Sequence, residues 1–366
     1  MSSPAKQVRV DAAEYASIED RLGTLLQTDR DVLLLQGESI LALEAMARGV
    51  GAPTAHSVNV VTSPYGEAIG RWLGAAGGTV ERLEVGFERA AHADEVASAL
   101  ERADVDVVSV VHAEAATGAL NPLAEIAASA RAAGALTIVD AVASIGAEPL
   151  QIDAWDLDIT VVSAQKALGG PAGVCAVVLS DRAWEALELN PTAPRDSILS
   201  LLDWRTRWLR TGRRQLPVLL HQLETRALAD TLERTEQEGL DATIRRHSRA
   251  RDAVRGGLRA MGVGPWIADD AGAAAIATIV ASPGGVEPGE LLGGALSAVP
   301  QAPLELAPGP LATRALRISH TGESARLEPV LGALAGLALG LRSQGIATDA
   351  DAALAAALEG WQRQPS

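Results

Sequence analysis

The feature that most constrains this chain is a repeated alternation. Short apolar runs recur, and each leads into a longer stretch with helical spacing. VLLLQGE (32–38) precedes SILALEAMARGV (39–50), and SVNVVT (57–62) precedes YGEAIGRWLGAAG (65–77). VERLEV (80–85) precedes HADEVASALERA (92–103), and VDVVSVVH (105–112) precedes NPLAEIAASARAAG (121–134). ALTIVDA (135–141), DITVVSA (158–164) and GVCAVVLS (173–180) continue the series. Pro122 sits near a helix start, and Gly77 and Gly134 sit at helix stops, where each residue type fits the backbone. Strands apolar along their whole length must be covered on both sides. The pattern therefore predicts an α/β fold: a mainly parallel central sheet with helices on both faces.

After residue 181 the pattern changes. Residues 182–215 read as irregular, with three tryptophans and many arginines, and 219–262 reads as long helices. AAAIATIVAS (273–282) and ALRISH (315–320) read as strands on either side of a Pro/Gly-rich stretch at 283–312, and VLGALAGLALGL (330–341) as a closing helix. A chain of 366 residues suits a large domain plus a smaller one. The expected organisation is a leader with a short amphipathic helix (1–30), a large cofactor-binding domain (31–245) and a smaller α+β domain (246–366). No internal repeat is visible.

Net charge is −15, which argues against general affinity for nucleic acid phosphates. The N-terminal segment has no apolar stretch of the kind a signal peptide needs, and the apolar run at 330–341 is too short to cross a bilayer. The one cysteine, Cys175, rules out an internal disulfide and reads as a small buried residue. The expected compartment is the cytoplasm, with no membrane partner and no metal site.

Of 31 basic residues, 29 are arginine and only Lys6 and Lys166 are lysine. Arginine keeps its proton at any working pH and cannot serve as an amine nucleophile. A desolvated lysine can. Lys6 lies in the polar leader, whereas Lys166 lies in ITVVSAQKALGGPAG (159–173), between an apolar run and a Gly-rich turn. Composition alone leaves Lys166 as either a catalytic amine or a surface lysine.

Position favours the first. Ligands of an open parallel sheet bind beyond the carboxyl ends of its strands. Asp140 ends one strand, Lys166 follows another, Gly37-Glu38-Ser39 ends the first strand and opens a helix, and Thr117-Gly118 follows a fourth. A lysine and an aspartate so placed suit vitamin B6 aldehyde chemistry. The amine condenses with the aldehyde, the carboxylate keeps the pyridine nitrogen protonated, and the freed amine shuttles a proton. Helix N-terminal amides suit an anionic group on the cofactor. Taken alone, Asp140 also reads as a turn or capping residue.

The segment at 139–173, VDAVASIGAEPLQIDAWDLDITVVSAQKALGGPAG, resembles the cofactor region of the class V aminotransferases, fold type I pyridoxal phosphate enzymes. GESILALEA (37–45), SPYGEAIGRWL (63–73), HAEAATGALNPL (112–123), the helical region near 222–260 and LRISHTG (316–322) extend the resemblance over most of the chain. The alanine–glyoxylate and serine–pyruvate branch is the nearest. The resemblance implies Lys166 as the Schiff-base amine and Asp140 as the partner of the pyridine nitrogen. It implies Val142 and Tyr65 on the two ring faces, and Thr117 near the ring hydroxyl. Gly37, Glu38, Ser39 and Gln165 would lie around the phosphate, and Arg317 would clamp the substrate carboxylate. It further implies pyridoxal 5'-phosphate as cofactor, a small amino acid and a 2-oxo acid such as glyoxylate or pyruvate as substrates, and a homodimer with the active site at the subunit interface.

Several features depart from the family. The Gly-Pro-Gly-type segment that lines the substrate pocket is not visible before Asp31, and Ala164 stands where a small hydroxyl residue is common. GRRQLP (212–217) stands where relatives reach the neighbouring subunit's phosphate, so Arg213 or Arg214 are candidates for that contact. Glu38 would repel a phosphate dianion. A Gly-Glu turn resembles the pyridoxamine–pyruvate aminotransferases, which treat unphosphorylated pyridoxamine and pyridoxal as substrates; otherwise Glu38 is a solvated turn carboxylate. Two further readings stand beside these: a B6-dependent lyase or desulfurase, the latter disfavoured by the buried setting of Cys175, and a non-catalytic relative that kept the fold. Trp204 and Trp208, four apart, suit packing or a dimer contact.

Overall fold

The computed structural model describes residues 10–218 and 221–363; Lys6 lies outside the described residues. The chain begins with α1 (Ala12–Leu25), β1 (Asp31–Gln36), α2 (Ser39–Val50), β2 (His56–Val61), α3 (Pro64–Ala75), β3 (Thr79–Glu84), α4 (Ala93–Leu100), β4 (Val107–Val111), α5 (Leu123–Ala132), β5 (Leu136–Asp140), β6 (Ile159–Val162) and β7 (Val174–Leu179). The expected strands and helices up to residue 180 are present, shifted at their ends by a few residues.

Seven strands form one sheet in the order β1-β7-β6-β5-β4-β2-β3. β3, β2, β4, β5 and β6 run parallel, and β7 is antiparallel to both β6 and β1. The direction of β7 follows from its connection. A loop at 163–173 joins β6 to β7 with no crossover helix, so the chain must turn back on itself. β1 in turn opposes β7, pairing Gln36 with Val174. The carboxyl ends of β1, β4, β5 and β6 therefore gather at one edge of the sheet, together with the loop that carries Lys166.

Both sheet edges are protected. At β1, the Tyr15 hydroxyl donates to the Leu34 carbonyl at 2.6 Å, and the Leu34 N–H donates to Glu19 at 3.1 Å. Side chains of α1 thus satisfy the backbone groups of an edge strand. Burial pushes the Glu19 carboxyl up to about 7. At the other edge, β3 carries Glu81, Arg82 and Glu84, charges that disfavour pairing with another chain. The short helix expected within residues 1–30 is α1, whose Tyr15, Ile18 and Leu22 are core residues.

The irregular reading of 182–215 is corrected: α6 (Asp181–Leu189) and α7 (Leu201–Arg207) lie there. Tyr15 stacks on Trp204 at 6.1 Å and meets the edge of Trp208 at 5.6 Å, so both tryptophans pack inside the chain. Trp208 also donates to Glu19 at 2.9 Å. These aromatic contacts join segments far apart in sequence, which local periodicity cannot register. α8 (Gln222–Glu238) and α9 (Leu240–Ala260) follow.

The remaining elements are β8 (Ala277–Ala281), α10 (Pro288–Ala298), β9 (Leu304–Leu306), β10 (Ala315–Ser319), α11 (Leu327–Ser343) and α12 (Ala350–Gln362). β8, β10 and β9 form a separate antiparallel sheet. The Pro/Gly-rich reading of 283–312 missed α10. One of its glycines serves packing: a Cβ on Gly294 of α10 would lie 3.4 Å from the Gly340 Cα of α11. The two largest apolar clusters run from Val10 to Leu232 and from Ala250 to Ala357, and a small one joins Ala113, Ala143 and Ala167 to Ala274 and Ile276. Among the described residues, no helix is long and apolar enough to cross a membrane, and no group of three or more His, Cys, Asp or Glu is placed to hold a metal ion.

Candidate active site

A cleft at the carboxyl edge of the large sheet is lined by Glu38, Ser39, Tyr65, Asp140, Val142, Gln165 and Lys166, together with apolar groups that include Ile40, Val111 and Ala143. Sheet direction explains the meeting. Asp140 ends β5 in register with Val111 of β4 and Val161 of β6, and the loop after β6 brings Lys166 over the same edge. Tyr65 enters on the first turn of α3, whose Ser63 cap accepts from the Tyr65 N–H.

Asp140 is buried, with Oδ1 accepting from the Val142 N–H at 3.0 Å. Burial pushes its carboxyl up to about 6, and Glu38 adds to the rise while Lys166 opposes it. A buried carboxylate of this kind is stabilised by a cation placed against it. Burial, then Arg317, lowers the Lys166 ammonium below its usual value, against Glu38 and Asp140. A lowered ammonium pKa supplies more of the free amine, the nucleophilic form.

Glu38 caps the N-terminus of α2. Its carboxylate accepts from the Ile40 N–H at 2.8 Å, the Ser39 hydroxyl at 2.6 Å and the Gln165 amide at 2.5 Å. Burial pushes the carboxyl up, but these hydrogen bonds together outweigh it and hold Glu38 below the usual range. Gln165 Oε1 is buried and has no protein partner. The end of the cleft under α2 is thus rich in acceptors, and three of its donors already serve Glu38.

Three predicted residues lie outside the lining: Gly37, Thr117 and Arg317. Gly37, at φ +142°, makes the turn into α2 and donates its N–H to Gly173 at 2.9 Å. Thr117 is buried with its hydroxyl 3.5 Å from the Thr62 carbonyl. Arg317 of β10 reaches the site from the second sheet and acts electrostatically on Lys166 and Tyr65. Arg213, one of the two candidates for a phosphate contact, pairs with Asp20 at 2.7 Å and with Glu19 at 3.6 Å within its own chain.

Sequence reasoning missed Glu114, although it lies in the quoted HAEAATG segment. It is buried beside the cleft, and Thr62 donates to its Oε1 at 2.6 Å. Oε2 has no partner, and burial pushes the carboxyl up to about 8. Glu114 therefore keeps its proton at neutral pH. In the unfolded chain it loses that proton near 4.5. The native state holds the extra proton across that window, so this group's contribution to stability falls as pH rises from about 4.5 to about 8. Glu114→Gln removes the titration. Its melting temperature is expected to fall less than wild type between pH 6 and pH 9, read by circular dichroism. An unchanged slope would show that Glu114 is ionised in the fold.

The sequence and the fold both match known proteins. The family model described as aminotransferase class-V matches residues 8–194. The chain belongs to the class-V aminotransferases. The pyridoxamine–pyruvate transaminase of Mesorhizobium japonicum is 33% identical over 274 residues, covering 75% of this chain and 69% of that protein. The (S)-ureidoglycine–glyoxylate transaminase of Bacillus subtilis is 28% identical over 366 residues, covering 94% and 86%. The crystal structure of pyridoxamine–pyruvate aminotransferase from Mesorhizobium loti superposes with a TM-score of 0.89 at 29% identity, covering 96% of this chain and 90% of that one.

The aminotransferase assignment also bears on the desulfurase reading. Cys175 is 1% exposed inside β7, and burial pushes its thiol up to about 12. A thiol so held is not the mobile nucleophile that desulfuration requires.

Proposed function

We propose that this aminotransferase moves an amino group between an unphosphorylated vitamin B6 amine of the pyridoxamine class and a small 2-oxo acid such as pyruvate. The observation that carries this is the Glu38 carboxylate seated on the N-terminus of α2, using the donors a phosphate would need. A hydroxymethyl group donates a hydrogen bond, and Glu38 with the unpartnered Gln165 Oε1 can accept it. A phosphate dianion in the same place meets a like charge.

The other side chains fit the ring. Asp140 holds the proton on the pyridine nitrogen, which suits a buried carboxylate in need of a cation. Tyr65 and Val142 pack on the ring faces. When bound, the B6 ring supplies an electron sink that stabilises charge developing at the substrate carbon. Lys166 supplies the condensing amine and then carries the proton between carbon positions as base and acid. Arg317 takes the carboxylate of the 2-oxo or amino acid. Thr117, buried just outside the lining, stands on the side of the ring hydroxyl.

The second reading keeps pyridoxal phosphate as a resident cofactor passing an amino group from a small amino acid to glyoxylate or pyruvate. The helix N-terminus behind the Gly37 turn, a setting that suits anions, favours it. Spectral titration of the protein with pyridoxal and with pyridoxal phosphate separates the two. Pyridoxal is expected to give a saturable, borohydride-fixable band, with the phosphate ester at least about tenfold weaker, given the like-charge repulsion. The reverse order would establish the second reading.

The two largest packing clusters support a large domain over 31–245 and a small one over 246–366. A homodimer is supported by Ile40 at the cleft rim, 48% exposed, and by Ile198 and Val218 beside the neighbouring groove, 71% and 45% exposed. A lone buried cysteine supports the cytoplasm as its compartment.

A further inference from the structure

Arg317 does not wait for substrate with its guanidinium free. In the antiparallel register of the small sheet it stands opposite Glu305 of β9. Both Nε and Nη2 donate to one Glu305 oxygen, Nε at 2.8 Å, and Nη1 donates to the Ala115 carbonyl at 3.1 Å. The face of the guanidinium formed by Nε and Nη2 is a two-point fork for a carboxylate, and Glu305 fills it. The two partners differ in burial: the Arg317 side chain is 18% exposed and that of Glu305 is 50% exposed.

That asymmetry decides which of the two can move. Arg317 is held on a second side by the Ala115 carbonyl and is largely shielded from water. Glu305 stands on a three-residue strand and can return to solvent at little cost, because a half-exposed ion pair is only weakly favourable. We propose that Glu305 is a stand-in for the substrate carboxylate. It pairs with Arg317 while the site holds no carboxylate, and it is displaced when a 2-oxo acid or amino acid arrives. Glu305 thereby sets the affinity and selectivity for monocarboxylates. The device suits a site that must be occupied alternately by a B6 amine without a carboxylate and by that amine together with an oxo acid. The inference rests on Arg317 as the carboxylate anchor, but not on whether the B6 compound carries a phosphate.

Calorimetric titration of propanoate into protein free of B6 compounds tests it. Glu305→Gln and Glu305→Ala both delete the competing anion. Each is expected to tighten propanoate about fivefold, the factor that corresponds to an exposed ion pair, and to lower the pyruvate KM in parallel. A structural defect would not tighten binding. Weaker binding in both variants would mean that Glu305 orients Arg317, and unchanged binding that the pair does not compete; either overturns the proposal. Arg317→Ala separates the premise from the inference. If it abolishes propanoate binding while the Glu305 variants stay at wild-type affinity, the stand-in role is wrong and the anchor stands. If propanoate still binds to Arg317→Ala, the anchor itself is misassigned.

Discussion

Lys166→Ala is expected to lower transamination by about 10³- to 10⁴-fold, the range associated with losing a positioned nucleophile and proton shuttle. The variant should also yield no borohydride-fixed B6 adduct on the 159–173 segment. Peptide mass mapping and a coupled assay read the two effects separately. The expectation follows from the uniqueness of the group. Elsewhere in the described chain every permanent cation is an arginine, which cannot condense with an aldehyde. Lys166 is partly withdrawn from water, in a cleft it shares with Asp140. Lys166→Arg keeps the charge and should be as inactive as the alanine variant. An adduct of wild-type yield in Lys166→Ala would assign the chemistry to another amine.

The second large effect is a reversal of cofactor preference. Glu38→Ser is expected to raise the affinity for pyridoxal phosphate relative to pyridoxal by about 10² or more. A carboxylate roughly 4 Å from a phosphate costs about 4 kcal/mol per pair of unit charges at an effective dielectric near 20, so the estimate is conservative. Serine keeps a capping oxygen at the start of α2, so the helix need not lose the roughly 1 kcal/mol that an uncapped N-terminus would cost. The substitution also frees the Ser39 hydroxyl and the Gln165 amide, two of the donors now bound to Glu38. Parallel spectral titrations give the ratio. If the ratio is the same in wild type and Glu38→Ser, then Glu38 does not discriminate at the phosphate end.

Much of the large sheet was legible because its strands are apolar throughout and its helices begin and end with recognisable residues. The same reading placed Asp140, Lys166, Glu38 and Ser39 at strand ends, and strand ends converge in a parallel sheet. α6 and α7 were missed because their helical spacing lies among prolines, arginines and tryptophans, whose packing partners are distant in sequence. α10 was missed because glycines that let two helices touch look, in one dimension, like loop residues. Glu114 stood inside a recognised segment, yet its burial cannot be read from neighbours that are alanines.

By itself, the sequence determined the order of strands and helices from β1 to β7, the single interior primary amine and the acidic turn before α2. These are local properties, set by side-chain period, by capping chemistry and by which residue types are present. Only the tertiary structure decided what those groups meet: the seal of α1 over the edge of β1, the capture of Gln165 by Glu38, and the pairing of Arg317 with Glu305. Each joins segments separated along the chain. Hydrogen bonding and desolvation act over a few ångströms of space, whatever the distance in sequence.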